Sequence, residues 1–250
     1  MVEQTQLPHA PITEAILDIR VKLPPGVELT TLATFQDALK HRYPSKQERV
    51  TWRGHIEIKA SPVSQVSQSA AGGSDGYLFT SIDGRQVVQA RLDGFGFSRL
   101  KPYDKWETLR DEARELWQHY VLIASPESVT RVALRYINRI EIPLPMRDFK
   151  DYIRTTPEIA PDLPQELENF FMRLVIPDPK TKAVTIVTET VEPIGEASDR
   201  LPLILDIDVF RMAAFKPDEH PMWETFEHLR ILKNEVFFKS ITPKAKELFQ

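Results

Sequence analysis

The chain contains no cysteine. Disulfide bridges, thiolate metal sites and a cysteine nucleophile are therefore excluded. Glycine is scarce, with nine residues against twenty prolines, so many stiff strand ends and loops are expected. The stretch Asp93-Gly94-Phe95-Gly96-Phe97 lacks the third glycine and the Lys-Ser/Thr of a phosphate-binding loop and reads as a bulge or bend in a strand. No serine sits in a nucleophile-elbow pattern. No apolar run approaches the ~20 residues that span a bilayer. Met1–Gln6 has no basic segment followed by an apolar run. Neither a membrane association nor a signal peptide is expected, and a cytoplasmic location is. Nor is there an excess of basic charge: the net charge of −4 disfavours broad nucleic-acid binding but leaves room for a local basic patch.

What is there is ordinary in bulk and patterned in detail. With 250 residues, 42% hydrophobic and 27% charged, the chain can bury a large core as one domain or as two fused halves. Its organising stretch runs from Val129 to Ile142. Alternate positions Val132, Leu134, Tyr136, Asn138, Ile140 and Ile142 face a core, and Arg131, Ala133, Arg135, Ile137, Arg139 and Glu141 face the other way, as a long strand requires. At an offset of 117 residues this pattern repeats the phase of Ala15, Leu17 and Ile19. The same offset maps Trp106-Glu107-Thr108 onto Trp223-Glu224-Thr225, and Val88, Ala90 and Leu92 onto Leu205, Ile207 and Val209. That points to a tandem duplication, with halves 1–124 and 125–250 forming one pseudo-symmetric unit.

In chain order, an extended lead-in over residues 1–11 precedes a strand over Ile12–Val21 and a helix over Leu29–Leu39. Arg49–Lys59 alternates as a strand through Val50, Trp52, Ile56 and Ile58. Ser61–Gly76 reads as a polar mobile loop. Tyr77–Ile82 and Gln86–Phe97 flank the turn pair Asp83-Gly84. Asp104–Val121 is a helix with a stripe from Trp106 to Tyr120 and Asp104 as its cap. The second half adds a short helix at Phe149–Ile153, a helical start at Asp162–Phe170, strands at Met172–Ile176, Ala183–Val191 and Leu203–Arg211, and a long helix over Pro221–Phe238. The expected fold is α+β: a two-layer sandwich of antiparallel sheet with long helices on one face, built from two strand–helix–three strands–helix pseudo-repeats.

That fold leaves one sheet face open, and the candidate binding residues are those on it: Glu14, Asp18, Arg20 and Arg91 in the first half, Arg131, Arg135, Arg139, Asp206 and Asp208 in the second. Three arginines on one strand can hold phosphates or carboxylates. They can equally pair with the acids of neighbouring strands as a solvated face. The aromatics fall mostly on the core side, which makes nucleic acid an unfavoured partner. His220, Glu224 and His228 are spaced four apart, but His220 precedes Pro221 at the helix start. Asp206 and Asp208 suit Mg²⁺ or an acid/base pair in spacing, yet charge pairing with the arginines is the ordinary reading. No catalytic residue, metal or cofactor is assigned.

Leu7-Pro8-His9-Ala10-Pro11-Ile12-Thr13-Glu14-Ala15, Leu134-Arg135-Tyr136-Ile137-Asn138-Arg139-Ile140 and Leu205-Asp206-Ile207-Asp208-Val209-Phe210 resemble a sporadically distributed family of uncharacterised prokaryotic proteins of similar length. Patchy distribution implies a place in defence or toxin–antitoxin loci, and the resemblance brings no catalytic residues with it. Two functions are expected from these observations. The first is a non-enzymatic protein that holds another protein on its open sheet face, antitoxin-like or defence-accessory. The alternative is a small-ligand-binding protein or enzyme with a cleft where the halves meet. Homo-oligomerisation is compatible with either.

Overall fold

The computed structural model of the chain describes residues 7–59, 65–165, 167–195, 198–217 and 220–250, and the side chains of 51–71 are outside that description. The strands are β1 (Ile12–Lys22), β2 (Ser45–Lys59), β3 (Gln65–Thr80), β4 (Gln86–Arg91), β5 (Gly94–Leu100), β6 (Ser128–Pro143), β7 (Phe171–Asp178), β8 (Ala183–Val191) and β9 (Arg200–Phe215). The helices are α1 (Leu29–Ala33), α2 (Phe35–Leu39), α3 (Trp106–Ala124), α4 (His220–Ser240) and α5 (Pro243–Glu247), with one 3₁₀ turn at Phe149–Asp151.

All nine strands join one sheet in the order β2-β3-β4-β5-β1-β6-β9-β8-β7, and every neighbouring pair is antiparallel. The halves meet at β1 and β6, where Leu17 stands opposite Leu134 and Ile19 opposite Val132. The alternation of those two strands therefore sets one phase for the whole sheet. Ala15, Leu17, Ile19, Val132, Leu134, Tyr136, Leu205, Ile207 and Val209 are all buried and belong to one hydrophobic cluster that includes Trp106, Leu109, Trp117 and Tyr120 of α3 and Met222, Phe226 and Leu229 of α4.

The expected two-layer sandwich with long helices covering one face is corrected by this architecture. The body of the fold is a single nine-stranded antiparallel sheet. Three of its helices are only five residues long. The others pack locally, α3 against β1 and β5 and α4 against β6 and β9, and do not form a complete second layer. The strand–helix–three strands–helix repeat also fails in its middle. The first half has four strands after its short helices, and the second has only a 3₁₀ turn where a helix was expected. The 117-residue offset also places Val88 and Ala90 of β4 on β9, whereas the strand that lies beside β1 as β9 lies beside β6 is β5.

Local corrections have local causes. Gln65–Gly76, expected as loop, belongs to β3 and pairs with β2 along its length. β3 meets β4 only over Gly76–Thr80, so beyond that point β2 and β3 form a two-stranded arm whose backbones satisfy one another without an apolar pattern. The alternation expected from Trp52, Ile56 and Ile58, and residues 61–64 of the expected loop, lie outside the described residues, as does Met1–Gln6. Gln86–Phe97 is a hairpin and not one strand: Leu92-Asp93 turns the chain, and Gly94, at φ +154°, opens β5 opposite Arg91. Leu29–Leu39 breaks at Thr34 into α1 and α2. Lys105, not Asp104, holds the N-cap position of α3, and Asp104 instead accepts a hydrogen bond from Thr108 at 2.9 Å. No helix forms among the described residues of 162–170, where Pro161 and Pro164 favour extended backbone. Among the described residues no helix is long and apolar enough to cross a membrane.

Candidate functional site

The open sheet face carries the charged residues expected there, and their register makes them partners of one another. Asp18 on β1 stands opposite Gly96 on β5 and Ala133 on β6. Those small neighbours leave room for longer side chains to converge on it from both sides. The Arg91 guanidinium reaches across Gly96 to Asp18 at 2.5 Å, Arg131 reaches it at 3.1 Å and Arg20 at 3.2 Å. Arg91 is 3% exposed, so this is a buried charge cluster on a nominally open face. Burial pushes the Asp18 carboxyl up, but Arg91, Arg20 and Arg131 outweigh it and hold the group below the usual carboxylate range.

The lattice continues across β6 and β9. Arg131 also binds Asp208 at 3.2 Å, and its guanidinium lies 4.3 Å from the Phe210 ring centroid. Arg135 grips Asp206 through both Nε and Nη2, at 2.9 and 2.6 Å. Arg139 binds Glu192 at 2.9 Å and also contacts Glu141. Burial, only partly offset by Arg131 and Arg135, pushes the Asp208 carboxyl up. Glu14 stands opposite Ile137 and adds its field to Arg135. All three arginines of β6 therefore already have carboxylate partners. Asp206 and Asp208 are engaged by arginines, and no group of acids and histidines among the described residues is arranged to hold a metal ion. His220 meets Glu224 at 3.3 Å on an exposed helix start.

On the core side of the sheet the molecule has a hollow of about 330 Å³, lined from both halves. The lead-in Leu7–Ile12 forms one wall. It is tied down by His9 N–H donating to the Phe249 carbonyl at 3.0 Å and by Arg139 N–H donating to the Pro11 carbonyl at 2.8 Å. Tyr103 and Trp106 enter from the start of α3, Tyr136 and Asn138 from β6, and Arg230, Lys233 and Phe237 from α4. The volume suits a small ligand, and the lining mixes apolar walls with a few convergent polar groups, as ligand clefts do.

Each polar group in the cleft has a traceable placement. Tyr136 and Asn138 are the two polar members of the core-facing set of β6, and both are buried. Asn138 commits its amide nitrogen to the Tyr136 and Leu205 carbonyls. The Tyr136 and Tyr103 hydroxyls share a hydrogen bond of 3.0 Å with their rings edge to face. Burial pushes the Tyr103 phenol up to about 12, and burial also holds Tyr136 well above its ordinary value. Lys233 occupies the buried stripe of α4, between Leu229 and Phe237, and is 8% exposed. Its Nζ sits 3.8 Å from the Tyr136 ring centroid, and among the described residues it has no carboxylate partner. Burial, helped by the neighbouring Arg230 charge, pulls its pKa down to about 7.

Glu227 anchors the rim. It accepts from Trp106 Nε1 at 2.9 Å and from Arg110 at 2.8 Å, joining α4 to α3. Arg230 is held loosely, with Glu107 and Glu227 both 3.7 Å away.

The sequence reading brought together the open-face charges and offered a cleft between the halves only as its alternative, without assigning the residues that line it. Its signals were Asn138 among the apolar positions of one strand and Lys233 on the apolar stripe of a helix, each polar where its pattern calls for an apolar residue. Tyr103 carried no such signal, because it lies in the loop before α3. No family model matches the chain, and no curated protein matches it.

Proposed function

We propose that the protein binds a small organic acid in the cleft where its two halves meet. The observation that carries this reading is Lys233: a buried amine with no carboxylate partner among the described residues, lining a cavity beside Arg230, whose own acids Glu107 and Glu227 stand 3.7 Å away. A buried cation without a partner is costly, and a carboxylate entering the cavity supplies that partner. The apolar wall of Pro8, Pro11, Phe237 and Phe238 then receives the body of the ligand. The alternative in which the open sheet face holds another protein has weaker support, because Arg131, Arg135 and Arg139 are each occupied by an acid of this chain.

Calorimetric titration with hexanoate and phenylacetate at pH 8, in buffers of differing ionisation enthalpy, tests the reading. Saturable binding with uptake of close to one proton is expected, because the ligand carboxylate restores the charge of Lys233. Lys233→Met abolishes the proton uptake, and Arg230→Met weakens binding at least tenfold. Absence of binding, or binding that both variants leave unchanged, overturns the proposal.

A further inference from the structure

Most lysines keep their ammonium in water on a flexible stem, where it is protonated and unreactive. Lys233 lies on the buried stripe of α4 with Phe237, is 8% exposed, holds its Nζ over the face of Tyr136 and lines the cavity. The charged groups lining the cavity with it are Arg230 from its own helix and Asp104, Lys105 and Glu107 at the start of α3, while the phenols of Tyr103 and Tyr136 are neutral. Glu107 on α3 is directed to Arg230 instead. This is an environment that leaves a primary amine free to act as a nucleophile, because desolvation and a neighbouring cation both favour its neutral form.

We infer that Lys233 forms a reversible imine with the carbonyl group of its ligand, and that the ligand class is oxo acids with an apolar side chain. The inference rests on the cleft being a binding site for organic acids and adds what the amine does there. Arg230 receives the carboxylate. The neutral Nζ donates its lone pair to the adjacent carbonyl carbon, and the C–N bond forms as the carbonyl π electrons move to oxygen. A proton passes from nitrogen to that oxygen, giving a carbinolamine. Expulsion of the hydroxyl as water, with a proton supplied to it, leaves the protonated imine. The balance is one amine, one carbonyl and one proton taken from solvent to one protonated imine and one water, with nothing oxidised or reduced.

The hydrogen-bonded hydroxyls of Tyr103 and Tyr136 stand on the same wall. Their phenols stay un-ionised, so they offer a hydrogen bond to the carbonyl oxygen without competing as anions for Arg230.

The test uses the full chain with phenylpyruvate and sodium cyanoborohydride at pH 7.5, read by intact mass and then by peptide mapping. Cyanoborohydride reduces an imine to a stable secondary amine. One adduct per chain is expected, with at least nine-tenths of the label on Lys233. Lys233→Arg, a long basic side chain that cannot form an imine, loses that adduct. Reversible binding of phenylacetate to the wild-type protein is measured in parallel. Phenylacetate binding with no adduct at Lys233, or with label spread over surface lysines, overturns the imine and leaves the acid-binding cleft standing. Failure of both measurements overturns both.

Discussion

Lys233 stands with its ammonium nitrogen 3.8 Å from the ring centroid of Tyr136, and no carboxylate among the described residues answers it. The ring face attracts a cation by ~0.5–2 kcal/mol, while burial and Arg230 oppose the charge and win, leaving a pKa of about 7 against an ordinary 10.5. The unfolded chain therefore holds more protons than the folded one between about pH 7 and pH 10, and stability rises with pH across that window. The raised phenols act in the opposite sense only above their ordinary value of 10.0. Chemical denaturation between pH 6.5 and 9.5 is expected to show the rise in the wild-type protein. Lys233→Met flattens that part of the profile and is more stable than wild type at pH 6.5 by ~1–3 kcal/mol, the cost of burying an unpaired polar group. Parallel profiles for the two proteins would remove Lys233 from the account.

Glu189 on β8 poses the mirror case. Its side chain is 1% exposed, faces the core between Met172 and Leu205, and neither carboxylate oxygen has a hydrogen-bond partner. Burial alone pushes its pKa up to about 7 from 4.5. The folded state then holds the extra proton, so the stability present below pH 4.5 is lost as pH rises through about 7. Glu189→Gln keeps the shape and removes the titration. It is expected to match wild type near pH 4.5 and to exceed it at pH 8 by ~1–3 kcal/mol, measured by urea midpoint at constant slope. A variant less stable than wild type at pH 8 would mean that the carboxylate has a partner in solution.

How much of this was legible in the sequence depends on whether a signal was periodic or contextual. Alternation fixed β1, β6 and β9 and put Arg131, Arg135 and Asp206 on one face, because a strand has only two faces to choose from. It did not show that β2 and β3 pair as a long arm, since backbone hydrogen bonds need no side-chain pattern. Nor did it show the hairpin at Leu92-Asp93, where Phe95 and Phe97 continue the apolar phase of Val88 and Ala90 on the next strand. The residues that line the cleft were hidden for a different reason. Tyr103, Tyr136 and Lys233 are 33 and 97 residues apart along the chain, and nothing short of the tertiary packing of α4 on β6 brings the last two together. What the sequence did offer was discord: a lysine and an asparagine at positions whose neighbours are apolar. Such breaks in an otherwise consistent pattern are where functional sites are expected.

The charge lattice on the open face gives a graded prediction. Asp18 answers three arginines, one of them Arg91 with a side chain only 4% exposed. Asp206 answers Arg135, whose side chain is 47% exposed. Removing one partner of a buried pair strands the other, at ~3–5 kcal/mol, whereas an exposed pair is worth ~0–1 kcal/mol. Asp18→Asn is therefore expected to lower the denaturation midpoint severely and Asp206→Asn hardly at all. If Asp206→Asn were the costlier change, the burial of the two pairs would have to be reversed.

The conformation that lets Arg91 reach Asp18 depends on Gly94. Its φ of +154° is a region that L side chains rarely adopt, and a Cβ there would lie 2.1 Å from the Ile19 carbonyl oxygen. That oxygen belongs to the backbone of β1, which is held between β5 and β6 and cannot shift alone. The turn is also fixed by Val21 N–H donating to the Asp93 carbonyl at 3.0 Å. Gly84 in the other turn has φ +70° but nothing within 4 Å of where a Cβ would stand. Gly84→Ala thus meets only the left-handed backbone penalty of ~1–2 kcal/mol. Gly94→Ala meets that kind of strain and a backbone collision, and is expected to cost more than ~4 kcal/mol, the range reached only by core strain and stranded polar groups. Because the turn carries β4 against β5, the same substitution is expected to withdraw Arg91 from Asp18, and hydrogen exchange would then show loss of protection at β4 and β5 before β8 and β9. Equal costs for the two alanine variants would mean that β1 yields at Ile19, and that the register joining the halves is softer than the packing of Leu17 on Leu134 implies.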